Sequence, residues 1–507
     1  MSRTGNAFRN AGTSLALQLF NNLLRFVCRT VFIYTLGKEF LGISSLYSNV
    51  ITILNISELG FSTAITFSLY GPLARQDQKQ ICALMAFYKK AYRMIGLSIL
   101  ALGLMLMPFL PHLMTGVTDK VNIYHYYLLY LGQTVVSYLF FAYKSVLLTA
   151  DQKKYLSDLV SFICQTAVAL AQILVLLLFR SFFVYTLLSI VTHILQNLVT
   201  AYLADRRYPY LKNPAPPLSK ESRKAVFRQI YALALQKIST AVGTATDNLI
   251  IASYVSVAAV GLYDNYHMVV AIFQKFLTGS FRAMTASLGN MMATESKSHG
   301  EFVFRSLNRV NAGLVGTCTV CFLTLFQSFI RLWAGEEYLL DYSVLLVIGL
   351  NFSTNYQQTV VQVFRNAMGL YVYGKYRSVI NAVLNLGISL IFVRWWGIEG
   401  VLLGSIVSRL LTTWWYDIWI LYRKGFSLPP WRCYAEALLL HGWIFLCWCI
   451  TTPLSRALAA GWLSLILSAI FCGALCLVSW LLIWGRSDTF QYVKVRITAL
   501  LRCHRKI

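Results

Sequence analysis

The chain has 507 residues, of which 57% are hydrophobic and 14% aromatic against 12% charged. Its mean hydropathy of +0.60 excludes an ordinary water-soluble domain. A net charge of +25 would suit a nucleic-acid partner, but the basic residues sit at alternate ends of apolar stretches, so no nucleic-acid role is expected and anionic lipid headgroups account for them.

A hydrocarbon core about 30 Å thick takes roughly 20 apolar residues per helix. Fourteen such stretches are expected, at 13–36, 40–69, 91–113, 123–149, 157–179, 183–204, 227–254, 258–290, 310–332, 343–367, 377–395, 398–422, 435–451 and 462–484. The alternating segments of a membrane barrel are absent. The first stretch carries Asn21, Asn22, Arg25 and Arg29 without a small-residue cleavage site, and is read as a retained span, not a removed leader. The second and eighth exceed a bilayer width and are expected to tilt or to emerge as exposed helix.

Placing the N-terminus inside puts thirty of the 44 Lys and Arg on the cytoplasmic side and six outside, with eight left in or at the edges of spans. Both termini are therefore expected in the cytoplasm. The segment Asp205 to Ser219 carries Pro209, Pro214, Pro216 and Pro217, the composition of a semi-rigid linker, and Pro429 and Pro430 are read as detaching the last two spans. The expected domains are an N-lobe at 1–204, a basic linker at 205–225, a C-lobe at 226–422, and a terminal helix pair with a basic tail at 423–507.

An internal repeat supports this division. Shifting the sequence by about 220 positions brings Leu41-Gly42 through Tyr47 onto Val260-Gly261 through Tyr266, Lys144 onto Arg365, and SIVTHIL at 189–195 onto SIVSRLL at 405–411. Six spans per repeat is an even number, so both lobes enter the membrane in the same direction, with a seam between them as the natural cavity. The fold class expected is all-α: a polytopic membrane protein with two pseudo-symmetric six-helix lobes and two C-terminal helices.

Ionisable groups inside spans carry the functional signal, because each costs about 2.5–3.5 kcal/mol at the bilayer centre on insertion scales. Arg25 and Arg29 share a face of the first span, and Lys275 and Arg282 share a face of the eighth; Glu58 lies in the second, and Lys237 and Asp247 lie in the seventh. A cationic patch at the seam would favour an anionic headgroup, and Arg suits bidentate phosphate binding. Arg228, Arg365 and Arg409, near span ends, are read as structural pairs or as snorkelling to the interface. From the rise per residue, Arg25 and Glu58 lie about 18 and 17 Å from the inner ends of their spans, which predicts that they pair and that Glu58 serves ion coupling or gating with Asp247. His193 and His267 are read as packing residues. Trp395, Trp396, Trp414, Trp415 and Trp431 are read as an interfacial belt.

Eleven cysteines lie mostly within spans. Cys318-x-x-Cys321 and Cys447-x-Cys449 have no companion ligands nearby in sequence and are read as small buried hydrophobes, with no metal expected. No Asp-x-Asp and no phosphate-cradling Gly-rich loop occurs, so neither enzyme chemistry nor a cofactor is expected.

The runs TLGKEFLGISSLYSNVITILNISELGFSTAITFSLYGPLA at 35–74, YKKAYRMIG at 88–96 and YGKYRSVINAVLNLGISL at 373–390 resemble the Wzx-type polysaccharide repeat-unit flippases of bacteria. These belong to the multidrug/oligosaccharidyl-lipid/polysaccharide exporter superfamily, with the lipid II flippase MurJ and the multidrug MATE transporters. The resemblance spans nearly the whole chain as many small agreements without one decisive signature. It implies a V-shaped pair of lobes in the bacterial inner membrane that moves an undecaprenyl-pyrophosphate-linked oligosaccharide to the outer leaflet by alternating access. A polysaccharide polymerase and glycosyltransferases of the same pathway are the implied partners, with membrane lipids. By location and charge, Arg25, Arg29, Lys237, Lys275 and Arg282 become the candidate pyrophosphate ligands, whereas Glu58 departs from a cationic cavity. A drug or cation exporter of the same fold, a membrane polymerase or glycosyltransferase, and a non-transporting scaffold remain alternatives. The first would favour an acidic cavity, and the second usually needs a larger outer loop than this chain has.

Overall fold

The computed structural model describes residues 3–58, 61–113, 123–139, 142–151, 153–212, 214, 216–282, 284–374, 376–458, 461–488 and 491–492; among them there is no β-strand. α1, Arg3–Leu54, contains two expected spans joined without a loop, because Gly37 takes φ 78° and ψ −175° in mid-helix, a left-handed φ open to a residue without Cβ. The second expected span is not continuous: a 3-10 turn, Asn55–Glu58, separates α1 from α2, Phe61–Ala74. Asp77 then caps α3, Gln78–Leu106, by accepting the Gln80 N–H at 3.0 Å, which satisfies an otherwise orphaned donor.

The fourth span is divided as well, into α4 (Ile123–Leu139), a 3-10 turn at Ala142–Lys144 and α5 (Ser145–Ala150). α6, Lys154–Phe179, stops at Arg180 in a left-handed conformation, and Ser181 caps α7, Phe182–Arg207. Ser219 caps α8, Lys220–Tyr254, by accepting the Ser222 N–H at 3.2 Å. The eighth span is split between α9 (Val257–Arg282) and α10 (Thr285–Thr294), and the tenth between α12 (Tyr342–Tyr356) and α13 (Thr359–Ala367), with α11 (Lys297–Trp333) lying between these two pairs in the chain. α14, Arg377–Arg409, turns at Gly397 (φ 51°) and so joins two expected spans. It continues through π-helical turns flanking α15, Trp415–Ile420. α16, Trp431–Leu458, and α17, Trp462–Trp484, follow.

Each expected apolar stretch is thus mainly helical within its described residues, with short turns as at Gln357 and Gln358. Seven helical segments among them are long and apolar enough to cross a membrane, from Gln78–Leu113 to Trp462–Trp484. Leu174, Leu177 and Leu178 of α6 and Leu463, Ile470 and Leu482 of α17 are exposed. Apolar surface on that scale is unfavourable in water and suits a lipid solvent. The chain is an all-α polytopic membrane protein.

Two compact units divide it, residues 1–261 and 262–507. This boundary lies beyond the expected linker at 205–225, because α8 packs along α1 and α2. In the first unit α6 packs between α1 and α7, and Phe32 and Phe40 of α1, Tyr126 of α4, and Phe182 and Tyr185 of α7 interlock edge to face or tilted, with centroids 4.9–6.1 Å apart. In the second unit α11 is central. α16 and α17 pack directly on it, contrary to the detachment expected from Pro429 and Pro430. The fit requires glycine: a Cβ at Gly313 would lie 2.7 Å from Trp480 Nε1, and Gly316 faces the Trp443 ring.

The sequence repeat recurs as paired contacts, each inside its own unit. Gln172 Nε2 donates to Ser189 Oγ at 2.8 Å, and Asn385 Nδ2 donates to Ser405 Oγ at 2.5 Å; the two serines are those aligned by the repeat. Lys144 pairs with Asp205 at 2.6 Å as Arg365 pairs with Asp417 at 2.6 Å. Tyr47 Oη donates to the Ile123 carbonyl at 2.6 Å, while Tyr266 Oη accepts the Leu340 N–H at 3.2 Å. In both cases a fully buried tyrosine ties an even-numbered span to the start of the next even-numbered one.

Candidate functional site

Arg25 and Arg29 stand one turn apart on α1 in the first unit. Arg25 is exposed, and its Nη2 donates to Gln165 Oε1 on α6 at 2.8 Å. A guanidinium carries five N–H donors in a planar fork, so one amide partner leaves Arg25 with donors in hand, and among the described residues it meets no carboxylate. Arg29 is half-buried, within electrostatic reach of Tyr130 on α4, Tyr185 on α7 and Cys28. Gln165 is in turn held by its own Nε2 donating to Ser161 Oγ at 2.8 Å. Nothing in the sequence marked Gln165, since a lone glutamine in an apolar span has no periodic signature.

Glu58 does not pair with Arg25. The 3-10 turn that carries it breaks the second span, so the depth argument for a continuous helix fails, and its carboxylate accepts instead from Tyr92 Oη at 2.7 Å and Tyr138 Oη at 3.4 Å. Tyr138 also reaches Asn55 Oδ1 at 3.3 Å. The rings of Tyr88 and Tyr92 lie 4.4 Å apart, and those of Tyr92 and Tyr138 lie 5.2 Å apart. The result is a half-buried carboxylate in a cage of aromatic hydroxyls supplied by α3 and α4. Tyr88 and Tyr92 stand four apart on one helix face, the one sequence signal that could have suggested them.

Asp247 is half-buried on α8. Lys237 belongs to the same helix, and its side chain lies outside the described residues. In the second unit, Lys275 and Arg282 are exposed on α9. The charge of Arg282 reaches Tyr356 on α12, as does that of Arg409. Arg409 itself donates to Asn351 Oδ1 at 3.0 Å and Thr354 Oγ1 at 3.1 Å, which agrees with its reading as a structural residue. Arg365 is likewise held by Asp417. A further ion pair, Arg309 with Glu436 at 2.5 Å, is roofed by the Trp484 ring 4.0 Å from the guanidinium, and it ties α16 and the end of α17 to α11. Cys447 and Cys476 pack with Trp443 and Trp480 in an apolar cluster.

Among solved structures, the chain is similar over 80% of its length, and over 94% of the other chain, to an inward-facing multidrug resistance MATE family transporter of the MOP superfamily, at 13% identity and a TM-score of 0.61. The chain shares the fold of this transporter. It is also similar to the lipid II flippase MurJ in an inward closed conformation, at 14% identity and a TM-score of 0.61, covering 94% of this chain and all of that one. A Vibrio cholerae MATE transporter follows at 16% identity and a TM-score of 0.53, with 84% and 98% covered. No protein-family model matches the sequence, and no curated protein matches it. At such identities it is the path of the backbone that is shared.

Proposed function

We propose that this protein is a flippase that carries an undecaprenyl-pyrophosphate-linked oligosaccharide from the cytoplasmic to the outer leaflet of a bacterial plasma membrane, serving cell-surface polysaccharide export. The observation that carries the reading is Arg25, an exposed guanidinium on an apolar span whose hydrogen-bond partner is the neutral amide of Gln165. A permanent cation kept in a span without a carboxylate has a use in meeting an anion, and a pyrophosphate matches the guanidinium fork better than an organic cation does. Arg29, Lys237, Lys275 and Arg282 are the further candidate ligands. Glu58 and Asp247 are the candidate groups for coupling transport to a proton or cation. The similarity to MurJ supports a lipid-linked cargo, whereas the MATE transporters share the fold without favouring it. A polymerase and glycosyltransferases of the same pathway would supply and consume the cargo.

The test is purification with native lipids and mass spectrometry of co-purified glycolipid, followed by translocation in vesicles. The double variant Arg25→Ala plus Arg29→Ala is expected to lose glycolipid retention and at least ten-fold in translocation while keeping its abundance, since two charge-assisted contacts are worth about 1.5–3 kcal/mol each. Unchanged translocation would remove α1 from the binding model. Export of organic cations without glycolipid movement would assign the chain to drug efflux instead.

A further inference from the structure

The two repeats differ at one buried charge. In the first, Lys144 pairs with Asp205. In the second, Asp417 is shared: Arg365 Nη1 donates to its Oδ1 at 2.6 Å, and Arg377 Nη1 pairs with the same oxygen. The side chains of Arg365, Arg377 and Asp417 are 7%, 13% and 1% exposed. Two guanidiniums therefore face one carboxylate, and the cluster keeps a net positive charge away from bulk water. Arg365 is 94% buried by residue area, and its Nε has no hydrogen-bond partner.

A buried, uncompensated charge is costly, and the clamp between the fourth and sixth spans of a repeat does not require it. At the place in the first repeat that matches Arg377, the chain has Leu156. Arg377 is thus an addition to a clamp that is complete without it. Among the described residues no second carboxylate meets the two guanidiniums, and such a pair is suited to a phosphate oxyanion. The charge pattern puts this end of α14 on the cytoplasmic face, where anionic lipids present phosphates at the membrane surface.

We propose that Arg365 and Arg377 form a phosphate site on the second unit, distinct from the cargo residues, whose occupant is a phosphate oxyanion from a lipid headgroup or from solution. Its placement on the cytoplasmic face rests on the topology read above, but its binding test does not depend on transport, so failure here leaves the flippase reading standing.

The full-length protein in detergent micelles is unfolded thermally with added phosphatidylcholine, phosphatidylglycerol or inorganic phosphate, alongside Arg377→Leu, which restores the residue of the first repeat. In phosphatidylcholine the variant is expected to melt no lower than the parent, because Arg365 and Asp417 remain paired and the excess charge is gone. Phosphatidylglycerol is expected to raise the melting temperature of the parent, by about 1 °C for each kcal/mol of binding in a chain of this length, and to leave the variant unmoved. If inorganic phosphate alone raises the parent and not the variant, the occupant is soluble phosphate. A variant that melts lower than the parent in phosphatidylcholine would make Arg377 a structural partner of Asp417 and overturn the site. Equal shifts of both proteins with phosphatidylglycerol would overturn it too.

Discussion

Glu58 illustrates how the surroundings of one residue decide its chemistry. A carboxylate beside Arg25 would be a neutralised pair; the same carboxylate under Tyr92 and Tyr138 is held by neutral hydroxyl donors. We hypothesise that Glu58 is the protonatable group coupled to transport. Glu58→Gln keeps an acceptor for one tyrosine and removes the charge, so the protein is expected to fold, with a loss of about 1 kcal/mol from the weakened contact. Transport by the variant should lose its dependence on an imposed proton or cation gradient. A variant whose gradient dependence matched the parent's would exclude Glu58 from coupling. The sequence placed Arg25 and Glu58 at similar depths in the membrane, yet depth is one coordinate only. Azimuth around each helix, and the 3-10 turn at Asn55–Glu58, turned the carboxylate toward α3 and α4.

Among the elements, a close backbone approach inside the first unit is that of Gly42 on α1 and Gly261, the unit's last residue. These are the glycines aligned by the repeat, and their backbones touch: a Cβ on Gly261 would lie 2.8 Å from Gly42 N and 3.1 Å from Gly42 Cα, while one on Gly42 would collide with the Val257 carbonyl. Backbone cannot yield as a side-chain tip can. Gly261→Ala is therefore expected to destabilise by about 1–3 kcal/mol through overpacking. Gly387→Ala on α14, with open space around it, should be neutral or stabilising by up to about 1 kcal/mol through helix propensity. Thermal unfolding of the two variants in one detergent makes the comparison. Equal melting temperatures would mean that α1 and α9 do not need this close approach. The sequence match showed the glycines as equivalent but gave no reason to expect that they meet each other. Equivalence in sequence is a statement about ancestry, and touching requires the helices to cross at that level.

At the scale of the whole molecule, the charge pattern predicts fourteen crossings with both ends in the cytoplasm. Single cysteines at Ser298 and Ser427, both exposed, are expected to react with a membrane-impermeant maleimide from the cytoplasmic side, and one at exposed Glu337 from the outside. Labelling of Ser298 and Glu337 from the same side would refute that topology. What the sequence determined unaided was the set of apolar stretches and their helical state, because hydropathy is summed over neighbours in the chain and the bilayer leaves helix as the open solution for a long apolar run. Caps at Asp77 and Ser219 are local for the same reason. Tertiary structure alone decided where spans break, how α16 and α17 dock on α11, and which partner each polar group takes. Gln165 is 140 residues from Arg25, and Tyr138 is 80 from Glu58. No periodicity links such positions, since the energy of a buried polar contact depends on a meeting in space that the one-dimensional pattern of apolar and polar residues does not encode.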